Sequence, residues 1–198
     1  YINTSNIEEV KQALLDYGAL TIFVTGAAQD SPYFNPKTNS IYCDDAKELN
    51  HFVTLVGWDD TFSKDDFNIK PAGDGAWICK NSWGTDWGDK GFYYLSYYDA
   101  PVTSRDAIAY KIENTVNYNK MYQYDIAGQS AWLPTGISWI KYVNNYEAMA
   151  DDLIAAVGLY FDKVNVGYNI NVYVNGTEMY SQSGKSIYRG YQTVKLDK

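Results

Sequence analysis

Asn81-Ser82-Trp83-Gly84-Thr85-Asp86-Trp87-Gly88 is the stretch from which the fold can be read. It follows the strand-like Ala76-Trp77-Ile78-Cys79-Lys80 and precedes a second aromatic strand segment, Gly91-Phe92-Tyr93-Tyr94-Leu95. About thirty residues upstream, Leu49-Asn50-His51-Phe52-Val53-Thr54-Leu55-Val56-Gly57-Trp58 forms another apolar strand, opened by the only histidine of the chain. A lone histidine on an apolar strand is commonly a satisfied core residue. The neighbouring pattern changes that assessment, because a carboxamide closes one strand, an imidazole opens another, and two tryptophans follow at fixed spacing.

Together these segments resemble the histidine and asparagine segments of papain-like cysteine peptidases. The resemblance implies that His51 is the acid and base of the reaction and that Asn81 orients its ring. It also implies that Trp83 shields the pair from water and that Trp87 walls the leaving-group side of the cleft. In that family the nucleophilic cysteine lies roughly 130 to 150 residues before the histidine. Only fifty residues precede His51 here. The expectation is therefore the histidine and asparagine half of a peptidase, inactive alone, whose partner is an N-terminal lobe bearing the cysteine. Peptides or proteins would be the substrates and a thioester the intermediate.

The chemistry explains the residue types. A thiol is mostly protonated near neutral pH, and a neighbouring imidazolium stabilises the thiolate. The same imidazole must return a proton to the leaving amine, so its tautomer and orientation have to be held from the other ring nitrogen. A carboxamide does this without adding a negative charge that competes with the thiolate.

The two cysteines do not fit the nucleophile. Cys43 sits among acids in Cys43-Asp44-Asp45-Ala46-Lys47-Glu48, and neighbouring carboxylates raise a thiol pKa. Cys79 lies inside a strand and reads as a small buried hydrophobe. A disulfide between them has no support in the sequence, and two cysteines with one histidine at no recognisable spacing predict no metal. No cofactor is expected.

Composition agrees with a β-rich globular chain. The 198 residues are 46% apolar and 17% aromatic, with 20 tyrosines and 6 tryptophans. Tyrosine-rich runs between Gly and Asn turns favour strands. A net charge of −8 argues against binding nucleic acid or anionic membranes, which need clustered Lys and Arg. The longest apolar run, Leu153 to Phe161, is too short for a membrane span. The chain begins at Tyr1 with no charged-then-apolar leader, so a secreted or cell-surface location is implied by the resemblance alone.

Along the chain, Thr4 to Leu15 reads as a capped helix with Ile7, Val10, Leu14 and Leu15 on one face, ended by Gly18. Ala19 to Val24 reads as a strand, Gly26 to Ser40 as a loop and Asp106 to Lys111 as the last strand of the lobe, while Ile41-Tyr42 resembles the family's Gly-Ile-Tyr segment without its glycine. Trp58 and Trp77 read as packing residues. Asp59, Asp60, Asp65 and Asp66 read as a solvated excursion without a calcium-loop signature. The peptidase resemblance covers residues 1–112, a β-barrel-like lobe. Residues 113–119 read as a linker.

Residues 120–198 open with Met121-Tyr122-Gln123-Tyr124-Asp125 and carry period-two alternation in Tyr168 to Val174, followed by the hairpin signal Asn175-Gly176. With Thr177 to Tyr180, Ala155 to Phe161 and Tyr191 to Leu196 they predict an antiparallel β-sandwich. This half resembles the lectin-like sandwich that follows the peptidase domain in some bacterial and archaeal cell-surface cysteine peptidases, and is expected to be incomplete. The fold class is thus α+β, dominated by β. Trp132, Trp139 and Tyr142 are open to two readings: stacking on sugar faces, which would make a glycan a partner, or packing against the peptidase lobe.

Two residues bear on substrate choice. Phe52, just after the histidine, and Phe23, on the preceding strand, match positions that line the pocket for the second side chain before the scissile bond; both could equally be core packing. As a pocket they imply small or medium apolar side chains. A second function class stays open, a non-catalytic adhesion module binding glycan or protein on a papain-like scaffold. A transglutaminase-like acyl transferase fits less well, because that family usually pairs its histidine with an aspartate.

Overall fold

A computed structural model describes residues 1–198 except 28–29, 46–47, 113–117, 125–135, 137 and 198. The chain divides into two compact units, 1–112 and 113–198.

The first unit begins with helix α1, Ile7–Tyr17. Its start is set by Asn6, whose side chain accepts the Glu9 N–H at 3.2 Å, and by two acids in the first turn. Its end is set by Gly18, at φ 80°, a left-handed angle that glycine adopts without a Cβ penalty. Val10, Ala13 and Leu14 are buried, whereas Leu15, expected on the same face, is 70% exposed. At 100° per residue Leu15 lies well off the stripe defined by Val10 and Leu14.

The helix covers one sheet of seven strands: β1 Leu20–Val24, β2 Phe34–Asn35, β3 Ser40–Ile41, β4 His51–Asp59, β5 Ala76–Lys80, β6 Phe92–Ser96 and β7 Ile108–Ala109. Their order is β2-β3-β6-β5-β4-β1-β7, and only β3 and β6 run parallel. The sheet is not closed, with β2 and β7 at its edges, and the lobe is β-dominated as the sequence leads one to expect. The segment expected as loop before Ser40 contains β2, formed by backbone pairing of Phe34 with Ile41.

Alternation builds the core. Leu20, Ile22 and Val24 of β1, Val53 and Leu55 of β4, Trp77 and Cys79 of β5, and Tyr93 and Leu95 of β6 are all buried. A bulge between Leu55 and Gly57 inserts one residue into the β4–β5 ladder and resets its phase before Trp58 pairs with Trp77. Trp77 is a core residue, and Trp58 is partly buried against that core.

The acidic excursion is more firmly held than a solvated loop. Phe62 stacks on Tyr94 at 4.3 Å and Phe67 meets Phe62 at 5.2 Å. Asp60 pairs with Lys11 of α1 at 2.7 Å and accepts the Tyr97 hydroxyl at 2.8 Å. Burial opposes the charge on Lys11, and hydrogen bonds to Asp60 and Glu8 outweigh it, so the lysine pKa is raised. Among the described residues no group of three or more His, Cys, Asp or Glu is placed to hold a metal ion.

Cys43 and Cys79 are both buried, and neither is in a disulfide. Next to Cys43 stands Asp99, only 2% exposed, which caps the short helix α2, Ala100–Thr103. One carboxylate oxygen accepts the Cys43 N–H at 3.0 Å and the other the Val102 N–H at 3.2 Å.

The second unit contains two antiparallel ribbons. Strand β8, Ala156–Phe161, pairs with β11, Gly190–Lys195; β9, Gly167–Val174, pairs with β10, Thr177–Lys185. The latter hairpin turns at Asn175 and Gly176, both with positive φ, as the sequence signal requires, and β10 runs five residues beyond Tyr180. Gln182 joins the ribbons, donating to the Lys195 carbonyl at 3.1 Å and accepting the Asp197 N–H at 3.0 Å. Phe161, Ile170 and Leu196 are its buried apolar side chains among the described residues. Trp139 and Tyr142 are largely exposed, and Trp132 lies outside the described residues.

Asp99 sets a pH dependence. Burial pushes its carboxyl from an ordinary 3.8 up to about 7, against the two backbone N–H donors that favour the anion. Between those values the folded chain keeps a proton that the unfolded chain has released, so this contribution to stability falls as pH rises and is constant above about 7. In Asp99→Asn the amide nitrogen cannot accept one of the two N–H groups, which costs about 1–3 kcal/mol. Urea denaturation followed by tryptophan fluorescence should show the variant less stable at acidic pH, with the gap narrowing as pH rises from 3.8 to about 7 and level above that. A gap independent of pH would show that Asp99 ionises at its ordinary value.

Candidate catalytic site

His51 is the first residue of β4 and pairs in register with Val24, the last of β1. Asn81 follows directly after β5, the next strand over, and its backbone N–H is fixed to the Gly91 carbonyl at 2.8 Å. Adjacent antiparallel strands therefore bring the two side chains to the same end of the sheet. The His51 Nε2 to Asn81 Oδ1 distance is 2.8 Å.

A second contact settles the protonation pattern. The Ser82 backbone N–H also donates to Asn81 Oδ1, at 2.8 Å. A backbone amide can only donate, so the atom facing both partners is the carboxamide oxygen. Nε2 of His51 must then carry hydrogen, which leaves Nδ1 as the nitrogen able to take up and return a proton.

Trp83 stacks on the His51 ring, centroids 4.8 Å apart and planes 25° apart, and is 43% exposed. Trp87 meets Trp83 edge to face at 5.1 Å and is itself buried between Phe34, at 5.3 Å, and Tyr93, also at 5.3 Å. Gly88 makes that turn possible: φ is 61°, and a Cβ there would stand 2.4 Å from the Phe92 carbonyl oxygen. The site thus rests on a ladder of rings, His51 on Trp83, Trp83 on Trp87, and Trp87 on the core.

Phe23 and Phe52 are direct cross-strand partners, ring centroids 4.2 Å apart. Phe52 is 55% exposed, so it does not pack in the interior. The two rings form an apolar surface across the β1–β4 pair. Neither cysteine offers an accessible thiolate. Cys79 belongs to the buried core, where burial drives its pKa far up, and Cys43 is buried with Sγ bonded to the Asp45 carbonyl at 3.1 Å.

Sequence reasoning passed over Asn50 and Gly26. The Asn50 side chain accepts the Gly26 N–H at 2.9 Å and its own N–H reaches the Val24 carbonyl at 3.3 Å. The available signal was a carboxamide immediately before the histidine. Phe34 and Tyr93, the supports of Trp87, were also unremarked as site residues.

An imidazole with one nitrogen tied to a neutral acceptor and the other open is suited to proton exchange with a nucleophile. Comparison with known proteins agrees with that class. The papain family cysteine protease profile matches residues 1–131 and the lectin like domain profile matches residues 121–198. The chain belongs to the papain family of cysteine proteases. It is 30% identical over 86 residues to cathepsin L1 of Drosophila melanogaster, covering 43% of this chain and 20% of that one. It is 34% identical over 91 residues to a probable cysteine protease of Arabidopsis thaliana, RD19B, covering 46% and 23%. The chain therefore spans about a fifth of the length of these relatives.

Solved structures extend the likeness across both units. The clostridial cysteine protease Cwp84 after propeptide cleavage matches with a TM-score of 0.76 and 32% identity, over 96% of this chain and 49% of that one. A structure of the cysteine protease and lectin-like domains of Cwp84, described as a surface layer associated protein of Clostridium difficile, matches with a TM-score of 0.73 and 28% identity, over 96% and 44%. The β-dominated pairing of a papain-like lobe with a lectin-like domain is thus shared with a known protein. No helix among the described residues is long and apolar enough to cross a membrane.

The ring ladder predicts unequal costs for its two tryptophans. Trp83→Ala should lower stability only by the ~0.5–1.5 kcal/mol of a partly exposed aromatic contact, while speeding solvent exchange of the His51 Nε2 proton. Trp87→Ala empties a buried site and should cost about 3–5 kcal/mol. Chemical denaturation and proton-exchange NMR of the two variants measure both effects.

Proposed function

We propose that this chain supplies His51 and Asn81 to a cysteine-peptidase site whose thiol comes from a lobe outside these 198 residues. The observation that carries the proposal is the 2.8 Å His51–Asn81 hydrogen bond, made through Nε2 so that Nδ1 stays open. The thiol proton passes to Nδ1, and the thiolate attacks the substrate carbonyl. In the ion pair both imidazolium nitrogens donate, Nε2–H to Asn81 and Nδ1–H toward the sulfur. Collapse of the tetrahedral intermediate expels the amine, which takes the Nδ1 proton, and leaves a thioester. Water, deprotonated by Nδ1, then hydrolyses the thioester.

Asn81 keeps the ring in one tautomer through both half-reactions and adds no charge. Trp83 covers one face of the pair, lowering the local dielectric in which the hydrogen bond acts. Trp87, beneath it, is the wall on the leaving-group side. Phe23 and Phe52 form a shallow apolar pocket for the second residue before the scissile bond. Such a pocket favours small or medium apolar side chains.

The second unit has a separate role in this proposal. Its likeness to a lectin-like domain, and the exposed rings of Trp139 and Tyr142, support a surface glycan as its partner. Activity at a cell surface follows by analogy with Cwp84, described as surface layer associated. That same likeness supports a second reading, in which the chain acts as an adhesion module and the site is unused.

An epoxysuccinyl thiol reagent tests the proposal, with intact mass as the readout, on this chain and on one extended by about 150 N-terminal residues. Labelling is expected only in the longer protein, at an upstream cysteine, and should be lost in His51→Ala. Labelling at Cys43 in this chain would overturn the assignment of the nucleophile, and no labelling of either protein would favour the adhesion module. In the extended protein, Phe52→Ala should raise kcat/KM for bulky relative to small residues at the second position by about 10-fold or more, the scale of pocket discrimination.

A further inference from the structure

His51 stands at the mouth of its strand, where the β1–β4 ladder ends. A residue at a strand end is prone to fraying unless something beyond the ladder holds it. Three hydrogen bonds do so here: Asn50 N–H to the Val24 carbonyl at 3.3 Å, Gly26 N–H to Asn50 Oδ1 at 2.9 Å, and the Thr25 hydroxyl to the Glu48 carbonyl at 3.2 Å. Two of the three pass through Asn50. Gly26, drawn in by this clamp, lies against the histidine itself; a Cβ built on it would be 3.4 Å from His51 Cβ and 3.7 Å from Cγ.

We propose that Asn50 is a positioning residue for His51. Its carboxamide oxygen ties the segment after β1 to the backbone immediately before the histidine, and so fixes where the imidazole leaves the sheet. The hydrogen bond from Nε2 to Asn81 tolerates little displacement, because N–H···O interactions weaken steeply once distance or angle departs from the optimum. Trp83 closes one face of the ring and Asn81 holds one nitrogen, whereas the Cα that carries the ring is held by the terminal Val24 rung of the ladder and, just beyond it, by the backbone and side-chain bonds of Asn50. As a neutral acceptor it performs this task without placing a carboxylate beside the imidazole. The proposal rests on the reading of His51 as the catalytic imidazole only for its meaning, since the geometry it predicts is measurable without activity.

The single histidine makes the test direct. Long-range 1H–15N spectra of the full 198-residue chain, taken at a pH where imidazole is neutral, report which ring nitrogen carries hydrogen. Wild type is expected to show the Nε2–H tautomer almost alone. Asn50→Ala should move both ring-nitrogen resonances toward the averaged positions of exchanging tautomers, with the melting temperature little changed because Asn50 is exposed. Asn50→Asp keeps an acceptor for the Gly26 N–H and should restore the Nε2–H signature. Thr25→Val removes only the flanking tether and should leave the ring signals in place. An Asn50→Ala spectrum identical to wild type overturns the positioning role. A wild type with mixed tautomers would instead overturn the His51–Asn81 assignment on which the proposed function depends.

Discussion

One hydrogen bond, from His51 Nε2 to Asn81 Oδ1, explains much of how the first unit is built. It joins two side chains from neighbouring strands at 2.8 Å and leaves the other ring nitrogen open. Holding it demands rigidity from three directions. Asn81 is pinned by the Gly91 carbonyl and shares its oxygen with the Ser82 amide. The ring face is covered by Trp83, which leans on Trp87, which rests on Phe34 and Tyr93 in the core. The strand end is gripped by Asn50. A side-chain network gains strength when each member is oriented by another, and a single loose member lowers the value of all.

The legible part of this arrangement in the sequence was the part written in side-chain chemistry. Asn81, Trp83, Trp87 and His51 stood out because their types and spacing have few other uses, and the structure brings all four together. Apolar and aromatic runs marked β1, β4, β5 and β6, period-two alternation marked β9, and Asn175-Gly176 marked its hairpin. What stayed hidden depends on distant backbone. Strand β2 exists because Phe34 pairs with Ile41, and nothing in Phe34-Asn35 alone distinguishes it from loop. Leu15 was read onto the apolar face as an apolar residue near helical spacing, yet its place in the turn sends it to solvent. The acidic loop looked solvated because the aromatic side chains that pin it, Tyr94 and Tyr97, come from another strand and its following turn.

The two units differ in how they are held. The first has a continuous core running from α1 through six strands to Trp87, with buried polar groups such as Asp99 meeting backbone donors. In the second, the ribbons are joined by a few side chains, notably Gln182, and its glycines serve packing. Tyr168 lies across Gly184 and Tyr191 across Gly158, in space a Cβ would fill. Tyrosines laid over glycines in this way recover contact area that the strand would otherwise lack.

Where the acidic excursion departs has a consequence for how the molecule tolerates change. His51 and Asn81 meet at one end of the β4–β5 pair, while residues 60–75 leave from the opposite end, beyond the Asp59–Ala76 rung. The thirty-residue interval between the two catalytic-type side chains is therefore not a fixed ruler. Antiparallel register alone sets their approach, and a segment inserted at the far turn lengthens the interval without moving either. Since Asp60, Phe62 and Phe67 pin its first half, the place to graft a peptide tag, a reporter or a recognition loop is the exposed Ala72, which leaves the imidazole and its carboxamide where they are.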